Sequence, residues 1–189
     1  MREAARRGAT YEDLLALPDH VVGQIVDGDL VVHPRPTMEH ARASGGLHDD
    51  LRGPFDRGRG GPGGWWIVFE PELHLDADVL VPDLAGWRRE RVPSAPRGPF
   101  MEIAPDWVCE VLSPNTAALD RARKLPIYAG HEVGHAWLVD PSARTLEVFR
   151  RDGPRWLLLG VFTGDAKVRA EPFDAVELDI APLWMPEGT

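Results

Sequence analysis

Four things are scarce in this sequence, and each scarcity excludes something. A single cysteine, Cys109, in 189 residues rules out an internal disulfide framework and any zinc site built from the cysteines of one chain. The expected compartment is therefore reducing, the cytoplasm. Nowhere do eighteen apolar residues run together, and the opening MREAARRGATYEDLLALPDH is charged from its second residue and has no apolar core. Neither a membrane span nor a standard secretory signal is expected. Positive charge is outnumbered, 21 basic residues against 30 acids for a formal net charge of −9. That argues against a protein that coats nucleic acid without preference, because phosphate binding draws on a surplus of Lys and Arg; it does not exclude an enzyme with one local basic groove. Lysine itself is nearly missing, since 19 of the 21 basic residues are Arg and only Lys124 and Lys167 remain. A lysine in this background calls for a reason.

What is present suits one well-filled core: 43% of the residues are hydrophobic and 27% charged, so residues 1–189 are read as a single domain. Thr10 caps a short helix over residues 10–17 that Pro18 closes. QIV and LVVH flank Asp27-Gly28, a hairpin turn that permits positive φ. Thr37 caps an amphipathic helix over 37–52, weakened by Gly45 and Gly46. The stretch RGPFDRGRGGPGG reads as a loop that no regular element would accept. Strand-like runs follow at WWIVFEPELHL, VLVPDLAGW and DWVCEVLS, the last two apolar on both faces as in central strands. NTAALDRARKLPIYAG is a helix ended by Gly130, in which Pro126 predicts a kink or a shortening, and HAWLVDP, TLEVFR and RWLLLGVF are further strands. This order predicts an α/β fold with a mixed sheet flanked by helices.

Two of the apolar runs each carry one carboxylate, Asp83 in VLVPDLAGW and Glu110 in WVCEVLS. Burying an unpaired carboxylate costs several kcal/mol, so something must satisfy them. One candidate is a structural salt bridge to an arginine. The other is a shared divalent cation, because hard oxygen ligands on adjacent strands suit Mg²⁺. Lys124, fourteen residues after Glu110 on the following helix, adds weight to the second. Asp120 and Tyr128, four residues to either side, share its helix face, whereas Arg121 and Arg123 are rotated away by about 100° steps. Arg123 is read as a salt-sensitive phosphate contact. The other arginine clusters, Arg52, Arg57 and Arg59 and then Arg88, Arg89 and Arg91, read as solvated surface or as parts of a local basic groove. His131-Glu132-Val133-Gly134-His135 matches H-E-x-x-H. Zinc geometry needs both histidines on one helix face, yet Gly130 is a C-cap signal and a strand begins at once, so a polar turn is expected. Cys109 reads as an inert core thiol, and Trp65 and Trp66 read as packing rather than base-stacking residues.

Six pieces in order, Asp27-Gly28-Asp29-Leu30-Val31, His40, Val81-Pro82-Asp83, Glu110-Val111-Leu112-Ser113-Pro114, Asp120 with Lys124 and Tyr128, and Trp137-Leu138-Val139-Asp140-Pro141, resemble the Uma2 family of restriction endonuclease-like proteins. The resemblance runs from about residue 10 to 165. It implies the PD-(D/E)XK nuclease fold, a restriction endonuclease-like mixed β-sheet flanked by helices. It also implies Mg²⁺ or Mn²⁺ held by Asp83 and Glu110, with Lys124 as the catalytic cation. Leu112 occupies the usual lysine position, so Lys124 stands as a lysine displaced onto the helix. Gln24 takes the place where the family commonly has Glu, and it and His40 are the auxiliary candidates. The implied activity is metal-dependent cleavage of DNA, with RNA as the other substrate considered and a homodimer as the expected assembly. The alternative is a catalytically silent nucleic-acid-binding or oligomeric scaffold that keeps the fold. Convergence of Asp83, Glu110 and Lys124 in one cleft separates the two.

Overall fold

The pattern WVCEV forms β8 (Trp107–Val111), and its period-2 alternation sends side chains to two different cores. Trp107, Cys109 and Val111 enter one cluster, and Val108 enters the other together with Leu112 just beyond the strand. Glu110 therefore faces the second side, in a row otherwise apolar. The chain was described from a computed structural model, and the structure describes residues 6–18, 21–33, 35–95 and 97–186.

In chain order the remaining elements are β1 (Arg6–Arg7), α1 (Tyr11–Leu15), β2 (Val22–Val26), β3 (Asp29–His33), α2 (Met38–Leu51), β4 (Trp65–Phe69), β5 (Leu73–Leu75), β6 (Asp78–Leu80) and β7 (Leu84–Arg88) before β8. After it come α3 (Ala117–Leu119), α4 (Leu125–Gly130), β9 (His135–Asp140), β10 (Thr145–Asp152), β11 (Arg155–Thr163), β12 (Lys167–Val168) and β13 (Leu178–Asp179). Six strands form one mixed sheet in the order β11-β10-β9-β8-β7-β4, in which only the β8–β9 pair is parallel. Five others form an antiparallel sheet, β1-β3-β2-β6-β5.

One face of the six-stranded sheet packs on α2 and the C-terminal segment. There Phe173 sits among Phe55, Trp65, Trp107 and Trp137 with ring centroids 4.7–5.6 Å apart. The strand β7 can pass beneath these rings because residue 86 is glycine: a Cβ there would come within 3.2 Å of Trp65, Trp107 and Ile67 side chains. The other face packs on the five-stranded sheet and α4, through Val26, Leu80, Trp87, Leu112 and Tyr128.

Several expectations are corrected. The mixed sheet flanked by helices is as expected, but a second, antiparallel sheet accompanies it, because the runs at 65–75 and 79–87 both break and hand the chain from one sheet to the other. The first breaks at Glu70-Pro71, where Glu70 has φ +45°. The second breaks at Val81-Pro82-Asp83, because Pro82 has no N–H to give a central ladder. Asp83 thus stands immediately before β7 rather than inside a strand. The segment read as pure loop begins with five ordered residues: Arg52–Asp56 extends α2 as a wide turn in which Arg57 N–H reaches the Arg52 carbonyl at 3.0 Å. Pro126 does not shorten the helical run, which continues to Gly130. The segment Asp120–Lys124 widens into the same kind of turn, closed by Leu125 N–H on the Asp120 carbonyl, and Pro126 falls in the first turn of α4, where its missing N–H costs nothing. The hairpin turn is as read, with Asp27 and Gly28 at φ +50° and +74°.

Candidate active site

The antiparallel pairing of β7 with β8 sets Leu84 opposite Cys109. One step further along this register, Asp83 and Glu110 meet on the same face. The ladder ends there, and the side chain takes over from it: Asp83 Oδ2 accepts the Val111 N–H at 2.7 Å. Its other oxygen, Oδ1, lies 3.1 Å from His40 Nε2 on the first turn of α2. Glu110, only 2% exposed, accepts the Tyr128 hydroxyl at 2.6 Å on Oε1 and meets Lys124 Nζ at 2.7 Å on Oε2. Lys124 is equally buried and also faces Asp120 at 3.5 Å. The wide turn keeps Asp120 and Lys124 on one side, while Tyr128 reaches Glu110 from the next turn.

His40, Asp83, Glu110, Asp120 and Lys124 border one cavity of about 170 Å³, together with Gln24, His33, Arg35, Glu70 and the Ser113–Thr116 turn. All five residues singled out from the sequence, Gln24, His40, Asp83, Glu110 and Lys124, line it. Gln24 is buried, and its Oε1 accepts the Val81 N–H at 2.9 Å, so it secures the linker that delivers Asp83. Two groups came without warning. Glu70 arrives because β4 is hydrogen-bonded to β7, ending at Phe69 opposite Leu84, and its N–H donates to the Asp83 carbonyl at 2.9 Å. His33 ends β3 and enters from the other sheet. The chain separations alone point to neither.

Negative charge exceeds positive in this cavity. Burial away from water pushes the Glu110 carboxyl up to about 8; Asp120 and Asp83 push the same way and Lys124 opposes them. Burial pulls the Lys124 ammonium down, but Glu110 and Asp120 hold it above its ordinary value. Both groups draw on one proton. The two groups meet at 2.7 Å, and the rise at Glu110 comes first from burial and then from Asp120 and Asp83, with Lys124 opposing it. His40 would be lowered by burial, yet the Asp83 hydrogen bond and charge raise it. Burial, then Asp83, raises Glu70, against His40.

Among the described residues no three of His, Cys, Asp and Glu are gathered so as to hold an ion by themselves. Mg²⁺ does not require that, since it is commonly held by one or two carboxylates with water and substrate phosphate completing the shell. Each of the four oxygens of Asp83 and Glu110 has one partner named above and a further lone pair, so the donor set fits such an ion.

The remaining signals fall outside this site. His131 follows the last turn of α4, Glu132 has φ +63°, and His135 opens β9. The two imidazoles face different acids, Asp76 at 3.7 Å and Glu171 at 3.2 Å. Cys109 is fully buried and its thiol is pushed well up by burial. Trp65 is core, and the Arg89 guanidinium lies 3.8 Å over the Trp66 ring. Arg123 is not open to phosphate: it donates to Asp27 Oδ2 at 2.8 Å, Asp29 Oδ2 at 3.0 Å and the Val26 carbonyl, clamping the β2–β3 hairpin to the turn that bears Lys124. Arg121 is likewise held, in a two-pronged pair with Glu147. No helix among the described residues is long and apolar enough to cross a membrane.

Residues 10–181 match the profile of the family described as "Uma2: Putative restriction endonuclease". Among solved structures, the chain is similar to "a putative nuclease belonging to DUF820" from Anabaena variabilis, with a TM-score of 0.75 and 23% identity over 93% of this chain and 97% of that one. That likeness shows the fold. No curated protein matches.

Proposed function

The chain belongs to the Uma2 family, and from that premise we propose that it is a nuclease that hydrolyses DNA phosphodiester bonds with the help of Mg²⁺ or Mn²⁺. The observation that carries the proposal is the convergence of Asp83, Glu110 and Lys124 on one cavity, with no arginine paired to either acid among the described residues. A silent scaffold predicts acids that are scattered or cancelled by arginines.

Asp83 and Glu110 would hold the ion, which when bound supplies a more acidic water and neutralises charge on the scissile phosphate. Everything else is the work of the chain. Val111 N–H and His40 fix the Asp83 carboxylate from two sides. Tyr128 and Lys124 do the same for Glu110. The Lys124 ammonium is placed to orient the attacking water and to meet charge that develops on the phosphoryl oxygens. The water oxygen bonds to phosphorus as the bond to the leaving nucleotide oxygen breaks, and the surplus proton leaves through the acid-lined cavity. Gln24 and His40 act as positioning residues. A homodimer belongs to the same reading, its support being the edge strand β11, unpaired on its outer side among the described residues, where Leu157, Leu158, Leu159 and Val161 are exposed.

The test is Asp83→Asn, which removes charge and keeps shape. Cleavage of a labelled oligonucleotide in Mg²⁺ or Mn²⁺ should be abolished while thermal unfolding followed by circular dichroism stays cooperative. Full activity in that variant refutes the assignment.

A further inference from the structure

A second hollow, about 620 Å³, adjoins the first, and Glu70 borders both. It runs from the C-terminal end of α2 past β4 to the loop around residue 100, so anything that occupies the catalytic cavity and extends to this side must lie in it. Its chemistry is specific. Phe69, the last residue of β4, is 41% exposed, unusual for a residue whose strand neighbours Trp65 and Ile67 are buried. The His48 ring meets it edge-on at 5.7 Å. Phe100 lines the far side, stacked by one face on His74 at 3.9 Å.

The charges of this groove are as informative as its rings. Two of its three acids are already satisfied from within. Glu72 accepts the Tyr11 hydroxyl at 2.9 Å and faces His74 at 2.7 Å, and Asp56 is held by Arg89 at 2.6 Å. Its cations are not so committed. Arg97 has no hydrogen-bond or ion-pair partner among the described residues, and Arg52 reaches only the already occupied Asp56, at 3.7 Å. Five arginines elsewhere, Arg91, Arg121, Arg123, Arg144 and Arg150, each pair with an acid. In a chain of net charge −9, two available guanidiniums beside the exposed Phe69 ring, next to the proposed catalytic acids, form a local exception to the acidic surface.

We propose that this groove binds single-stranded DNA, stacking an unpaired base on Phe69 and carrying the flanking phosphates on Arg52 and Arg97. The inference rests on the nuclease reading and narrows its substrate to strands with unpaired nucleotides beside the scissile bond. Paired bases bury their faces against their neighbours and cannot stack on a protein ring, whereas every unpaired base can.

The experiment is fluorescence anisotropy in EDTA with a labelled twelve-nucleotide DNA strand and its blunt duplex, so that binding is read without cleavage. The wild type should bind the single strand at least about tenfold more tightly than the duplex. Phe69→Ala should weaken single-strand binding about 5- to 160-fold, the range of one base–aromatic stack. Phe69→Trp should retain it, and Phe69→Leu, which keeps the apolar bulk, should not. Arg97→Ala should lower the slope of log affinity against log salt by about 0.7, one phosphate contact on a single strand. Equal wild-type affinity for strand and duplex, or unchanged binding by both the Ala and Leu variants, overturns the proposal. Strand binding of the expected pattern without metal-dependent cleavage overturns the nuclease reading instead.

Discussion

Replacing Lys124 with methionine tests the electrostatics of the site more sharply than any loss of activity. Methionine keeps much of the length and volume of the lysine stem and removes the charge. In the native protein the ammonium sits 2.7 Å from Glu110 and 3.5 Å from Asp120, all three groups nearly solvent-free. Removing one partner of a buried pair strands the other, which costs about 3–5 kcal/mol. For a chain of this length that corresponds to a fall in midpoint of about 6–20 °C.

The loss must depend on pH, and its sign follows from Glu110. A carboxyl whose folded pKa is raised binds more protons folded than unfolded, so stability falls as pH climbs between the two values. For Glu110 that window opens at the ordinary carboxylate value and closes at about 8 in the wild type; without Lys124 it closes higher, because the neighbouring positive charge that opposes the rise is gone. Unfolding should therefore be followed at pH 5, 6.5 and 8 in EDTA. The destabilisation by Lys124→Met should be largest at pH 8 and small or reversed at pH 5, where Glu110 is neutral and a buried ammonium is itself a burden. Adding Glu110→Gln to the variant should recover most of the loss at pH 8. Mg²⁺ should stabilise the single variant, since a cation again faces the acids. A loss of equal size at all three pH values refutes the reasoning and leaves Lys124 as packing.

Arg123→Ala should lower stability by about 1–3 kcal/mol, because charge-assisted bonds to Asp27, Asp29 and the Val26 carbonyl are lost together. It should leave the salt dependence of DNA binding unchanged, and a flatter salt slope in titrations would show that Arg123 also meets phosphate. Sedimentation at high micromolar concentration should give a species larger than 20.9 kDa, converted to monomer by Leu158→Arg on the β11 edge; a stable wild-type monomer removes the dimer from the proposal. The double variant His131→Ala, His135→Ala should keep its fold and its cleavage, and stoichiometric zinc bound by the wild type but not by this variant would show a metal site in the turn.

How much of this was legible varied with the kind of interaction. Asp83 and Glu110 stood out because each is a lone acid among apolar neighbours, and Lys124 because lysine is so rare here. The shared side of Asp120, Lys124 and Tyr128 followed from four-residue spacing, although the wide turn at 120–124 changed how that side is built. His33 and Glu70 were not legible: their place depends on which strand pairs with which, and pairing across two sheets leaves no local trace in spacing. The second sheet was hidden for the same reason, since a broken strand and a long one look alike until Pro71 and Pro82 are seen to withhold their donors. The arginines misled in a further way. Clusters at 88–91 and 121–123 look like open basic patches as text, yet Arg89, Arg91, Arg121 and Arg123 pair with acids distant in sequence and Arg88 lies over the Trp65 ring, while the isolated Arg97 pairs with no acid among the described residues.

The manner in which Asp83 is satisfied explains how the site keeps negative charge for the proposed cation. A buried carboxylate needs a donor, and an arginine would have served, but at the expense of the negative charge that draws an ion. The Val111 main-chain N–H orients the carboxylate without cancelling it, and it is available only because the β7–β8 ladder stops at Leu84 and Cys109. Pro82 ends the ladder there by starting β7 late. Glu110, one register step further, is then left with a single ammonium that it must share with Asp120. The same break that spoils the strand pattern in the sequence thus builds the surplus of unneutralised oxygen on which the proposed chemistry depends.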